Sequence, residues 1–182
     1  LKLTNTGSGK ASLDRDIVSD GKHISMVVCR EGGFARLWRP MITRCENEDP
    51  AELKPGESLY GSHFAGASTS GWLIDEPGFY KLQAAVDVGG TIVVSTVLRL
   101  FVAPPQSDAE SRLAPDYFTE DVARVIAFEG SPSLARATDT LREVEARLGT
   151  APAALHAGVA LSSPLLRDFK QLSGRRTCGR AQ

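Results

Sequence analysis

The chain is poor in the residues that most often carry chemistry. Its 182 residues include three cysteines, three histidines, two methionines and two tryptophans. Cys29, Cys45 and Cys178 form no CxxC pair, and an odd number cannot all be joined within one chain. A Cys29–Cys45 bridge and two free buried thiols are both compatible with the spacing. His23, His63 and His156 stand apart from one another, so none of the paired spacings that gather a zinc ion occurs. No metal site and no cofactor is expected. A long hydrophobic run is missing too. The longest apolar stretch, 91–102, is broken by Ser95, Thr96 and Arg99, and is too short and too polar for a membrane span. Neither sign of charge dominates, with 21 Lys plus Arg against 22 Asp plus Glu. That balance argues against nucleic acid and acidic membrane as partners.

The landmarks of catalysis are missing as well. The segments Gly61-Ser62-His63-Phe64 and Gly66-Ala67-Ser68 do not form the Gly-x-Ser-x-Gly elbow that exposes a nucleophilic serine. The run Gly7-Ser8-Gly9-Lys10-Ala11-Ser12 lacks the spacing of a phosphate-binding loop. The cluster Glu46-Asn47-Glu48-Asp49 lacks the spaced oxygen ligands and closing Glu of a calcium loop, and reads as a solvated turn. Arg36, Trp38, Arg39 and Trp72 combine base-stacking and phosphate-binding side chains, but the balanced charge favours core or interface roles for them. No catalytic residue is assigned.

What is present is an ordinary folding composition, 42% hydrophobic and 24% charged, with 17 Gly and 10 Pro as punctuation. The pattern changes at Ala103-Pro104-Pro105. Before it, short alternating runs predict six antiparallel strands, within 1–5, 23–30, 35–44, 59–64, 79–86 and 92–102. Turns are marked by Gly32-Gly33, Pro55-Gly56, Pro77-Gly78 and Gly89-Gly90. After it, Thr119 reads as an N-cap and Gly130 as a stop. Ser131-Pro132 starts a second helix that Gly149 ends, 151–161 is a third, and Ser163-Pro164 starts a fourth with Phe169 and Leu172 inward. The expected organisation is a β domain over 1–105, three or four helices over 106–175, and a disordered tail over 176–182. Leu1 falls inside an alternating run, so the chain is expected to be a piece of a longer protein.

The Gly32-Gly33 dipeptide predicts a two-residue hairpin, in which Val28 faces Leu37, Met26 faces Arg39 and Ile24 faces Met41. In that register Val27, Arg36 and Trp38 lie together on the outer face, a set of the types enriched at binding hot spots. The alternatives are that a one-residue bulge turns Trp38 inward, or that the helices cover it.

Three segments carry a resemblance. Leu3-Thr4-Asn5-Thr6-Gly7, Leu53-x-Pro55-Gly56-Glu57 and Pro77-Gly78-Phe79-Tyr80 before a Ser95-containing last strand together resemble bacterial immunoglobulin-like or fibronectin-III-like modules. The resemblance spans 1–105 and implies an antiparallel β-sandwich with Tyr80 as its tyrosine corner, although the Cys–Trp–Cys set of antibody domains is missing. The helical half is loosely similar to a tetratricopeptide hairpin at Pro152-Ala153-Ala154-x-x-Ala157. The functions implied are a non-catalytic binding or spacer module facing a protein partner or neighbouring domains of one parent chain, with a secreted or envelope location favoured. A proteinase inhibitor using the 7–22 loop as its wedge, and an enzyme with its site at the joint between domains, are the alternatives.

Overall fold

A computed structural model describes residues 1–42, 50–131 and 133–166. Cys45, Glu46 to Asp49, Pro132, Phe169, Leu172, Cys178 and the 176–182 tail lie outside the described residues. The strands are β1 (Lys2–Thr4), β2 (Ala11–Asp14), β3 (Ile24–Arg30), β4 (Ala35–Trp38), β5 (Pro50–Leu53) and β6 (Ser58–Tyr60). They continue as β7 (Ala67–Ser68), β8 (Gly71–Trp72), β9 (Gly78–Val88), β10 (Thr91–Val94) and β11 (Leu98–Val102). Among the described residues four helices follow: α1 (Asp108–Tyr117), α2 (Glu120–Ala127), α3 (Ala135–Leu148) and α4 (Pro152–Leu166). Antiparallel sheets therefore precede helices, and the change falls at the Pro104-Pro105 joint.

The main sheet is built on the longest strand. On one side β9 pairs with β3, which pairs with β4; on the other it pairs first with β11 and then with β10. Two-residue alternation puts Tyr80, Leu82, Ala84 and Val86 of β9 on the same face as Ile24, Met26 and Val28 of β3, and all seven are buried. Ile17, Val18, Trp38 and Leu73 complete this core, and Leu3, Leu13 and Leu59 from the pairs β1–β6 and β2–β5 pack against it. Asn5 ties two of the sequence motifs together. Its amide donates to Gly9 O and Leu53 O, while its backbone exchanges bonds with Gly56 and Glu57.

Tyr80 is 1% exposed, and its hydroxyl donates to Glu76 O at 2.8 Å, four residues upstream. Tyr80→Phe should keep the ring packing and leave this half-buried carbonyl without its donor, lowering stability by about 1 kcal/mol. A denaturation midpoint unchanged by the substitution would show that the bond contributes nothing.

The β3–β4 hairpin corrects the predicted register. Met26 faces Trp38, Val27 faces Leu37, and Val28 faces Arg36, so every pair is displaced by one residue. The turn closes through Gly33 N–H to Arg30 O at 2.9 Å, with only Gly32 at positive φ (76°). That bond, together with Cys29 facing Ala35, makes 31–33 a three-residue loop with Glu31 and Gly32 as the central pair of its turn. Because side chains alternate, one residue of slip exchanges the faces of β4. Trp38 enters the core and Leu37 moves outward.

The last predicted strand is broken in two. Ser95 N–H donates to Ala84 O at 2.8 Å, but Ala84 N–H is received by the Ser95 hydroxyl at 3.0 Å. The pair sums change from 179 in β10 to 180 in β11, so one extra residue is accommodated between them as a bulge.

The helices bury a second core of Leu113, Val122, Val125, Leu141 and Val144. Thr119 caps α2 as expected, accepting from Val122 N–H, and the helix ends in a left-handed turn at Glu129 and Gly130. Gly149 likewise ends α3 as expected, its N–H donating to Glu145 O, but three other expectations fail. Helix α1, capped by Ser107 on Glu110 N–H, was not expected in a segment carrying Pro115. Helix α3 starts at Ala135 rather than at Ser131-Pro132. Ser163-Pro164 starts no new helix; α4 runs through it, with the Ser163 hydroxyl donating back to Val159 O.

Candidate functional site

The three residues singled out by sequence do not form one surface. Trp38 is 4% exposed, its indole N–H donating to Phe64 O at 3.1 Å and its ring edge-on to His63. Arg36 sits opposite Val28, on the core side of the sheet, and its guanidinium leaves the sheet to donate to Trp72 O and Leu73 O. Val27 faces outward beside Leu37. The hairpin register thus sets Arg36 and Trp38 on the face opposite Val27 rather than beside it.

The titratable groups have local duties. His63 Nε2 lies 2.8 Å from Val18 O, which can only accept, so that nitrogen carries the proton. His23 pairs with Asp14 at 3.2 Å, and His156 is exposed. Asp14 is held below the usual carboxylate range, first by the Asp16 N–H donating to it and then by His23. Cys29, expected to be buried, is only half-buried, on the outer face. Among the described residues no three His, Cys, Asp or Glu side chains converge as metal ligands, and no helix is long and apolar enough to cross a membrane.

Two apolar features stand out. The first is the joint. Trp72 of β8 lies against Tyr117 and Phe118 and edge-on to Phe64, and its indole N–H donates to Thr119 O at 2.8 Å. Leu73, next in sequence, belongs to the strand core, so adjacent residues hold the two cores together. Beside them a groove of about 620 Å³ opens between Pro77, Val102 and Pro104 on one side and Leu113, Tyr117 and Leu148 on the other. Burial there pushes the Tyr117 phenol upward. The acids at this groove are already engaged: Asp75 and Glu76 by Arg36 and Arg30, and Glu110 by the Gln106 N–H.

The second is the sheet edge formed by β10 and β11. Every residue from Thr91 to Arg99 is exposed, including Ile92 (60%), Val93, Val94 (56%), Val97 and Leu98. From Val88 to Leu98 there is no charged residue. Ser95 N–H points to β9, so by alternation the N–H and C=O groups of Ile92 and Val94 point away from the sheet. The opposite edge differs. β4 is four residues long and carries Arg36, with Arg39 and Pro40 next in sequence. Arg39 O accepts from Thr69 N–H, and Arg36 lies across to residues 72 and 73. Among the described residues one edge is covered and charged, and the other is bare. The signal is in the sequence, in the uncharged Ile-Val-Val run, whose alternation predicts a strand without showing that it lies at an edge. Compared with protein families, curated proteins and solved structures, the chain matches none.

Proposed function

We propose that this chain is a protein-binding module, its strand-rich half an immunoglobulin-like β-sandwich, and that it engages protein through the β10–β11 edge. The observation that carries this reading is the exposure of Ile92, Val94 and Leu98 along the uncharged run 88–98. Edges in natural sheets are blunted by charge, proline or cover, because their free backbone groups template another strand. An edge left apolar and unguarded serves contact. The Tyr80–Glu76 corner, and the packing of Leu3, Leu13 and Leu59 onto the main sheet, support the sandwich.

Side chains kept for contact contribute little to the fold that carries them. The triple substitution I92T/V94T/L98T, which puts a β-branched strand former at all three positions, should change unfolding stability by no more than about 1 kcal/mol. Immobilised wild-type protein should at the same time retain protein that the triple variant does not. A stability loss well above that figure, or equal retention by both, would remove the reading.

A further inference from the structure

We infer that the occupant of this edge is a second copy of the same chain, joined to the first by antiparallel pairing of β10 with β10 about a two-fold axis at Val93; this rests on the edge being a protein-binding surface. The backbone selects the register. Ile92 and Val94 are the β10 residues whose amide groups point outward, and an antiparallel partner exchanges both of its bonds with each of them only when Ile92 faces Val94 of the other copy. That arrangement makes four backbone hydrogen bonds and sets Val93 against Val93 at the axis. An axis at Ile92 would place Val94 against Gly90, and an axis at Val94 would run Ile92 into the bulge at Thr96.

Side chains agree with the backbone. On the outer face the pairing joins Ile92 and Val94 of both copies into one cluster of four β-branched residues; on the core side Val93 meets its equivalent. Such cross-strand pairs are favourable, and like charges directly opposite are not. Self-pairing is where like charges would otherwise meet, since each residue confronts its own sequence. The edge carries none between Val88 and Leu98. A two-fold interface must be complementary to itself, and this strand satisfies that condition, whereas the β4 edge would bring the like charges of Arg36 and Arg39 from both copies together in one short strand pair.

The test is sedimentation velocity over a concentration series, with hydrogen exchange on the same samples. The wild type should associate reversibly to a dimer, and the Ile92 and Val94 amides should gain protection as concentration rises. I92K/V94K places lysine against lysine across the axis and should raise the dimer dissociation constant at least about tenfold, more so at low salt. I92E/V94K places each acid against the other copy's lysine and should restore association. A wild type that stays monomeric at its highest soluble concentration would overturn the self-pairing while leaving the edge open to a different protein, whose retention the I92T/V94T/L98T comparison reads independently. A dimer indifferent to I92K/V94K, or one that I92E/V94K fails to restore, would overturn it too. If a variant misfolds by circular dichroism, the concentration-dependent protection of the two wild-type amides decides: no added protection overturns the inference.

Discussion

Replacement of Gly61 by alanine should lower stability by about 3 kcal/mol, at the upper end of what an overpacked core usually loses. Gly61 follows β6 and continues its pairing with β1, its N–H donating to Leu1 O at 3.1 Å. On its other side the backbone of Val18 runs so close that a Cβ on Gly61 would lie 1.7 Å from Val18 O and 2.4 Å from Val18 C. Both neighbours are backbone, so no side chain can rotate away. Val18 is buried at 1% exposure, and its carbonyl also receives His63 Nε2 at 2.8 Å. Relief must therefore displace a core segment, the β1–β6 ladder, or the His63 bond. Gly9→Ala is the matched control. Nothing lies within 4 Å of a Cβ there, and a glycine replaced without strain gains up to about 1 kcal/mol from a more restricted unfolded chain. Chemical denaturation of the two variants side by side is the measurement. A Gly61→Ala midpoint equal to that of Gly9→Ala would show that the strand and the 17–19 turn do not approach as closely as described.

How much of this could be read beforehand depended on how local each cause was. The Tyr80 corner was legible because its partner lies four residues upstream and is announced by Pro77-Gly78. The Thr119 cap was legible for the same reason, with donor and acceptor three residues apart. The hairpin register was not. Gly32-Gly33 admits loops of two or three residues, and the choice depends on which burial is better satisfied at Trp38, a contact with Phe64 and His63 more than twenty residues away. The strands β2 and β5 were missed because each is four residues long, and their pairing joins segments about forty residues apart. Helix α1 was hidden by Pro115. The candidate site was half legible: the apolar run 91–102 was visible, but its position as a bare edge follows from β9 being flanked by β3 on its other side. The Ser95 break had no sequence signal beyond a hydroxyl able to stand in for a ladder carbonyl.

The joint between the two cores yields the second large effect. Trp72→Ala should separate the unfolding of the helices from that of the strands and lower the stability of the helical part by about 3 kcal/mol, the lower end for deletion of a packed tryptophan because Trp72 is only half-buried. Its ring is the member shared by the cluster of Phe64, Tyr117 and Phe118, and its N–H holds the carbonyl of Thr119, the residue that caps α2. Removing it takes away ring contacts that bridge the cores and loosens the start of a helix whose Val122 and Val125 are fully buried. The strand half loses only the edge contact to Phe64, while Leu73 stays in the strand core. The experiment has its own reporter. The chain has two tryptophans, so in the variant all indole fluorescence comes from Trp38, enclosed in the strand core, while far-ultraviolet circular dichroism at the helical band follows the helices. In the wild type the two signals should change together on heating, as one cooperative unit. In Trp72→Ala the helical signal should be lost first, with the Trp38 transition nearly where it was. Trp72→Phe should fall between, since it keeps an aromatic ring in the cluster and gives up only a hydrogen bond to a carbonyl that water can reach. Coincident transitions in Trp72→Ala, or transitions already separate in the wild type, would mean that this ring does not couple the halves.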